Sequence, residues 1–364
     1  MKLLYITNGI NGSGGLERVL SVKASLLAED YHHQVSVLVL NNAHLDLFYT
    51  FSPKINFYSI NVTGNPIKYF KSWQNGIQKV VDDLKPNVIS VCDDGLKGFF
   101  IPKFLKTDAK IIYERHVSKL AETHANQSFI SKTTNFLKWT LMERWAKRFS
   151  KFIVLTEGNK NEWKSLNNIE VIPNPLSFYP EESSDLNSKK VICVGKIAFQ
   201  KGQDILLKVW DIVAVKYPDW TLELYGKENL EFLDTQNLPP NVNWFPPHKD
   251  IEQKYLDSSI YVMSSRFEGF GMVLIEAMSC GVPCVSFDCP FGPSDVISDN
   301  IDGFLVDNED TSQLAQKLMV LIEDKTKREK FGKAAKENVK RFAPGTIVKQ
   351  WDNLFKSLLS ENSF

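Results

Sequence analysis

No apolar run in the 364-residue sequence approaches the roughly 18 residues that a membrane-spanning helix needs, so none is expected. The apolar part of the opening MKLLYITNGINGSGG stops after six residues, short of the roughly 7–15 of a signal-peptide core. That stretch reads instead as a first strand, and a cytoplasmic chain is expected. Cysteine is scarce. Cys92, Cys193, Cys280, Cys284 and Cys289 are odd in number and set in apolar surroundings, and a reducing compartment argues against a disulfide framework. With no paired CxxC spacing and no adjacent histidine, nothing suggests zinc, and the five read as small core residues. Net charge is also lacking, with 43 Lys and Arg against 43 Asp and Glu. The balance is uneven, however: residues 1–151 hold 20 basic and 12 acidic side chains, and the remainder 23 and 31. Such asymmetry points to an anionic surface or partner for the first half.

What is present is an alternation of short apolar runs and helical patterns. Lys2–Thr7, Gln34–Leu40, Asn87–Cys92, Lys110–Arg115 and Lys151–Thr156 read as strands in the first half. Lys190–Gly195, Thr221–Gly226, Val242–Phe245, Ile260–Ser265 and Pro283–Phe287 repeat the theme in the second. Apolar runs of this length between helices imply parallel sheets covered on both faces. Between the halves, VIPNPLSFYPEESSDLNSKK has prolines at 173, 175 and 180 and then a polar run, the best linker candidate. The expected fold class is therefore α/β, with two doubly wound domains facing a cleft. After Arg341–Thr346 an amphipathic helix closes the sequence, with no partner evident from sequence alone.

Several stretches carry chemistry. In NGINGSGGLERV, Gly12, Gly14 and Gly15 lie between a strand and a helix, where bare amides can meet a phosphate. A plain flexible turn remains the alternative, and neither a dinucleotide fingerprint nor a Walker A loop is present. In VGKIAFQKGQ, Lys196 and Lys201 follow the strand ending at Gly195, placed for a diphosphate or simply solvated. In SRFEGFGMVLIEAMSCGVP, Glu268 falls in a glycine loop and Glu276 one turn inside an apolar helix from Met272 to Cys280. A carboxylate there is costly without hydrogen-bond donors, which sugar hydroxyls or a neighbouring loop can supply. His116 follows a strand end, as do Asp93 and Asp94, which do not form a metal-binding DxD pattern. Ser131–Lys151 holds six Lys or Arg and one Glu among Phe136, Trp139, Trp145 and Phe149. It reads either as a membrane-surface helix or as a helix with its aromatics in the core.

Together these stretches resemble glycosyltransferase family 4, the retaining group 1 transferases of the GT-B fold. The E-x7-E signature is matched by Glu268 and Glu276, and GG-x-E-R-V by Gly14 through Val19. The G-R-x4-K-G element appears as GKIAFQKG, with Lys196 in the arginine place, and Asp295 stands where a glutamate is usual. The resemblance implies two Rossmann-like doubly wound domains about a central cleft: residues 1–178 with a returning helix 345–364, and residues 187–344. It implies catalytic roles for His116, Lys201 and Glu268. Donor contacts would come from Gly14, Gly15, Gly195, Lys196, Lys201, Glu268, Gly269, Phe270, Gly271, Met272, Val273 and Glu276, the last on the ribose. Loops such as Phe245–Asp250 usually choose the base.

The implied activity is retaining transfer of a hexose or N-acetylhexosamine from a nucleotide sugar, with UDP expected, to a growing surface glycan. No obligatory cofactor, metal or nucleic acid is implied. A lipid-linked acceptor and contact with an anionic inner membrane face fit the basic first half. The alternatives are a nucleotide-sugar-converting enzyme on the same fold, such as a UDP-N-acetylglucosamine 2-epimerase, or a non-catalytic binding protein.

Overall fold

The computed structural model describes residues 1–93, 95–122 and 129–360. Asp94, one of the paired aspartates, lies outside the described residues. The chain forms two compact units, residues 1–175 with the chain from Pro344 onward, and residues 176–343.

In the first unit the strands are β1 (Lys2–Ile6), β2 (Gln34–Leu40), β3 (Asn56–Ile60), β4 (Val88–Val91), β5 (Lys110–Glu114), β6 (Lys151–Val154) and β7 (Ile169–Val171). They pair in the order β3-β2-β1-β4-β5-β6-β7, all parallel. The helices are α1 (Gly15–Glu29), α2 (Pro66–Leu84), α3 (Ile101–Phe104), α4 (Phe129–Ala146) and α5 (Glu157–Asn161). The second unit has β8 (Lys190–Val194), β9 (Thr221–Tyr225), β10 (Val242–Phe245), β11 (Ile260–Met263), β12 (Cys284–Phe287) and β13 (Gly303–Val306). Their order is β10-β9-β8-β11-β12-β13, again parallel. Its helices are α6 (Gln203–Lys216), α7 (Ile251–Leu256), α8 (Met272–Ser279), α9 (Pro293–Val296), α10 (Thr311–Glu323) and α11 (Lys325–Asn338). The chain then returns to the first unit as α12 (Pro344–Ser360).

Side-chain alternation along β1 shows how the first sheet is covered. Leu3 and Tyr5 join a core with Leu20, Ala24 and Leu27 of α1 and Ile347, Trp351 and Phe355 of α12. Leu4 and Ile6 point the other way, into a core with Trp73, Ile77 and Val81 of α2 and Met142 and Ala146 of α4. The partner of the amphipathic tail is thus α1, with the apolar face of α12 completing one core of the first unit. In α4 the aromatics divide between the core and solvent. Trp139 and Trp145 pack against the core, while Phe136 and Leu137 are 70% and 62% exposed.

Three strands lie outside the strand pattern of the sequence: β3, β7 and β13. Each is a sheet edge. β3 and β7 are only partly covered, and NFYSI and IEV lack a continuous apolar run; β13 is mostly buried, but its short GFLV run opens on a glycine.

The proline-rich segment between the halves packs onto the second unit. Leu176 N–H donates to Phe342 O at 2.8 Å, Ser184 N–H to Cys280 O at 2.8 Å, and Lys336 Nζ to the carbonyls of Glu181 and Glu182 at 3.0 and 2.6 Å.

In each sheet the chain leaves its first strand to one side and later returns to the other. The reversals fall between β1 and β4 and between β8 and β11. Crevices at the carboxyl ends of such strand pairs are where doubly wound sheets bind ligands.

Candidate functional site

In the second unit the loops after β8 and β11 flank the reversal, and they bring Lys201 and Glu268 together. Lys201 Nζ donates to Glu268 Oε1 at 2.7 Å, and Ser265 Oγ donates to the same oxygen at 2.6 Å. Glu268 is buried, its N–H donating to Pro290 O at 2.8 Å, and Lys201 is half-buried. The two loops are clamped to each other. Arg266 holds Asp204 of α6 through two bonds of 2.9 and 2.7 Å, stacks on Phe199 at 4.0 Å, and donates to Phe199 O at 2.7 Å. Burial pushes the Asp204 carboxyl up, but the Arg266 hydrogen bonds outweigh it and hold the group below its ordinary value. Ser264 Oγ donates to Lys201 O at 3.0 Å and Gln203 Nε2 to Lys196 O at 3.0 Å, which fixes the lysine loop from beneath.

Gly202, at φ +64°, starts α6 so close to β11 that a Cβ would lie 2.0 Å from Ser264 O. Gly271, at φ +87°, caps the start of α8. Gly269, Met272 and Val273 are half-buried around that start, and Gly195 is half-buried at the end of β8. Lys196 is exposed and makes no ion pair among the described residues. Phe270 is buried with its ring edge-on to Phe342 at 5.4 Å, so its backbone is the part left to meet a ligand. Asp295 accepts from Gly292 N–H at 3.2 Å and caps α9, while a Cβ on Gly292 would meet Phe270 O at 2.3 Å.

Glu276 lies one turn inside α8, 3% exposed. Ser177 Oγ donates to its Oε1 at 3.1 Å and Tyr255 OH to its Oε2 at 3.3 Å. Neither donor was marked by the sequence, nor was Ser265. The loop Phe245–Asp250 follows β10, with the Phe245 ring stacked on Tyr225 at 4.9 Å. Burial raises the neighbouring Cys193 thiol to about 12, and all five cysteines are buried and free.

In the first unit a cavity of about 620 Å³ opens at the β1–β4 reversal, lined by Thr7, Asn8, Gly12, Glu17, Asp93 and Lys97 among others. Asn8 Nδ2 donates to Asp93 Oδ1 at 3.3 Å, and Lys97 Nζ donates to Asn8 Oδ1 and, at 3.1 Å, to Tyr69 OH. Gly14 and Gly15 are exposed at the start of α1. The Glu17 carboxylate folds back over the loop so closely that a Cβ on Gly12 or Gly14 would lie 2.6 Å from one of its oxygens. Burial raises this carboxyl, against the pull of its own backbone N–H and of His116. A phosphate over these glycines requires Glu17 to turn away.

His116 is half-buried just beyond β5, its Nε2 3.3 Å from Glu114 Oε2. Cys92, Glu114 and His116 gather donor atoms within 4.8 Å, a spacing that suits a metal. Lys23 Nζ, however, lies 2.5 Å from Glu114 Oε2, and burial pushes the Cys92 thiol far above its ordinary value. An ammonium thus fills the cation's place.

Two doubly wound parallel units of this kind are the GT-B glycosyltransferase fold. A variant of S. aureus TarM in complex with fondaparinux, alpha-GlcNAc-glycerol and UDP shares that fold. The match covers 98% of this chain and 100% of that one, with a TM-score of 0.77 at 17% identity. The family described as glycosyl transferases group 1 matches residues 178–338. An uncharacterized glycosyltransferase of Haemophilus influenzae is 31% identical, over 88% of this chain and 90% of its own length. The amylovoran biosynthesis glycosyltransferase AmsD of Erwinia amylovora is 29% identical, over 97% of this chain and 99% of its own. The chain belongs to the group 1 glycosyltransferases.

Proposed function

We propose that this chain transfers a hexose or N-acetylhexosamine from a UDP-sugar to a growing surface glycan, with retention at the anomeric carbon, as a family 4 enzyme. The observation that carries this reading is the Lys201–Glu268–Ser265 cluster at the β8–β11 reversal, beside the start of α8. Breaking the anomeric bond leaves negative charge on the nucleotide diphosphate. Lys201, the exposed Lys196 and the N–H groups opening α8 are the positive elements that meet it, typically the largest catalytic contribution. Glu268 accepts hydroxyls of the donor sugar, with Ser265 keeping it oriented. Glu276 already accepts two hydroxyls, from Ser177 and Tyr255, which is the chemistry a ribose diol offers. The ribose takes the place of one of them.

In the transfer step a bond forms between the acceptor oxygen and the anomeric carbon, on the face the phosphate leaves. The carbon–phosphate oxygen bond breaks, and the acceptor proton passes to the departing phosphate. The cationic side chains supply the charge stabilisation that a metal supplies elsewhere, so no metal is required. The first unit serves the acceptor, with His116 as its catalytic residue. The amylovoran and TarM likenesses support a surface glycan and a UDP donor.

The test is to incubate the protein with UDP-glucose, UDP-galactose and UDP-N-acetylglucosamine and a glycan acceptor, following UDP release and the anomeric proton coupling of the product. UDP release with an α-configured product is expected. The reading fails if no nucleotide sugar is consumed and K201A and E276A change nothing.

A further inference from the structure

One charged group in the first unit has no place in the transfer just described. Lys23 lies on the core face of α1 and is 0% exposed. Its ammonium is 2.5 Å from Glu114 Oε2, 3.9 Å from the centre of the Trp351 ring of α12 and 5.0 Å from that of Tyr5. Glu114, 1% exposed at the end of β5, accepts from Ser90 Oγ on Oε1 at 2.5 Å and meets His116 Nε2 on Oε2 at 3.3 Å. Taking an ion pair out of water costs several kcal/mol per ion, and apolar residues of similar size commonly serve packing as well or better. What this pair adds is orientation. Glu114 bridges a lysine locked in the core and the histidine beyond the strand end.

The protonation states follow from the same contacts. Burial alone raises the Glu114 carboxyl, but Lys23 and His116 outweigh it and bring it down to about 2. At neutral pH it is a carboxylate, which only accepts hydrogen bonds, so His116 Nε2 must be the donor.

We propose that Glu114 and Lys23 are positioning residues for His116: Glu114 accepts its Nε2–H and makes Nδ1 the accepting nitrogen, while Lys23, covered by Trp351, holds Glu114 in place. This rests on the reading of His116 as a participant in sugar transfer. Through it the returning helix α12 acts on the histidine by a chain of direct contacts, Trp351 to Lys23 to Glu114 to His116.

The test reads the tautomer and the kinetics together. Imidazole nitrogens are labelled with ¹⁵N, and the His116 signals are identified by their loss in H116A. The wild-type ring should carry a proton on Nε2, held against Glu114. K23M/E114L removes both charges at once, so no buried ion is left unpaired. In that variant the ring should lose its single tautomer, and kcat should fall about 10- to 100-fold with KM for the nucleotide sugar little changed. K23R should keep both properties. Should the double variant not fold, E114D keeps the charges but draws the carboxylate back by one methylene, and the same shifts are expected. A variant that folds, keeps the Nε2–H form and turns over like the wild type overturns the proposal. If H116A is impaired while K23M/E114L is not, positioning falls and the role of His116 stands. If H116A turns over normally, the reading of His116 falls, and the positioning role with it.

Discussion

A methyl group on Gly202 would lie 2.0 Å from the Ser264 carbonyl, at a φ of +64° that disfavours any side chain. G202A should therefore cost about 3 kcal/mol or more and separate the lysine loop from β11. G345A, with nothing within 4 Å of the new atom, should stay within about 1 kcal/mol, and urea unfolding compares the two. Glu114 gives a pH signature at the same scale. Its folded value of about 2 lies below the ordinary 4.5, so the stability it adds is fully present above that value. It is lost as pH falls from about 4.5 to 2. Unfolding midpoints across that range should fall steeply in the wild type and less so in K23M/E114L. Lys201, Glu268 and Glu276 stood out in the sequence because each belongs to a short local pattern, and the structure pairs the first two. Ser177 and Tyr255, the partners of Glu276, were not legible, since they lie 99 and 21 residues away in sequence. Gly12, Gly14 and Gly15 were read as a candidate phosphate loop, and only the folded rotamer of Glu17 shows a carboxylate covering Gly12 and Gly14.

Among the elements, α12 shows what patterning can and cannot reveal. Its apolar stripe marks a buried face. That the face completes the core on α1 depends on the chain returning to its first unit, which no local signal encodes. W351A removes a large side chain that is 3% exposed and uncovers the Lys23 ammonium. It should cost about 3–5 kcal/mol by urea unfolding. W351F, which keeps an aromatic face over the cation, should cost less. The central strands were readable because both faces are covered and their runs are continuously apolar. The edge strands β3 and β7 lack that cover, and β13, though mostly buried, is a four-residue run opening on a glycine; the pattern failed at those three.

For the whole molecule, the charge division becomes a prediction about surfaces. Residues 1–151 hold 20 basic and 12 acidic side chains, and α4 within them exposes Phe136 and Leu137. Co-sedimentation with vesicles containing anionic lipid should be seen at low salt and weaken as salt rises. Absence of binding at every ionic strength removes the membrane-surface reading, and F136E/L137E should weaken it. The central claim concerns the second unit: that the Lys201–Glu268 crevice holds the diphosphate of a nucleotide sugar. A ligand that binds only the folded protein raises its unfolding temperature. The most direct measurement is thus thermal unfolding of the wild type and K201M with UDP-, GDP- and ADP-sugars. One nucleotide class, expected to be UDP, should raise the wild-type midpoint and leave K201M nearly unmoved. No shift with any nucleotide sugar, or equal shifts in both proteins, would contradict the account.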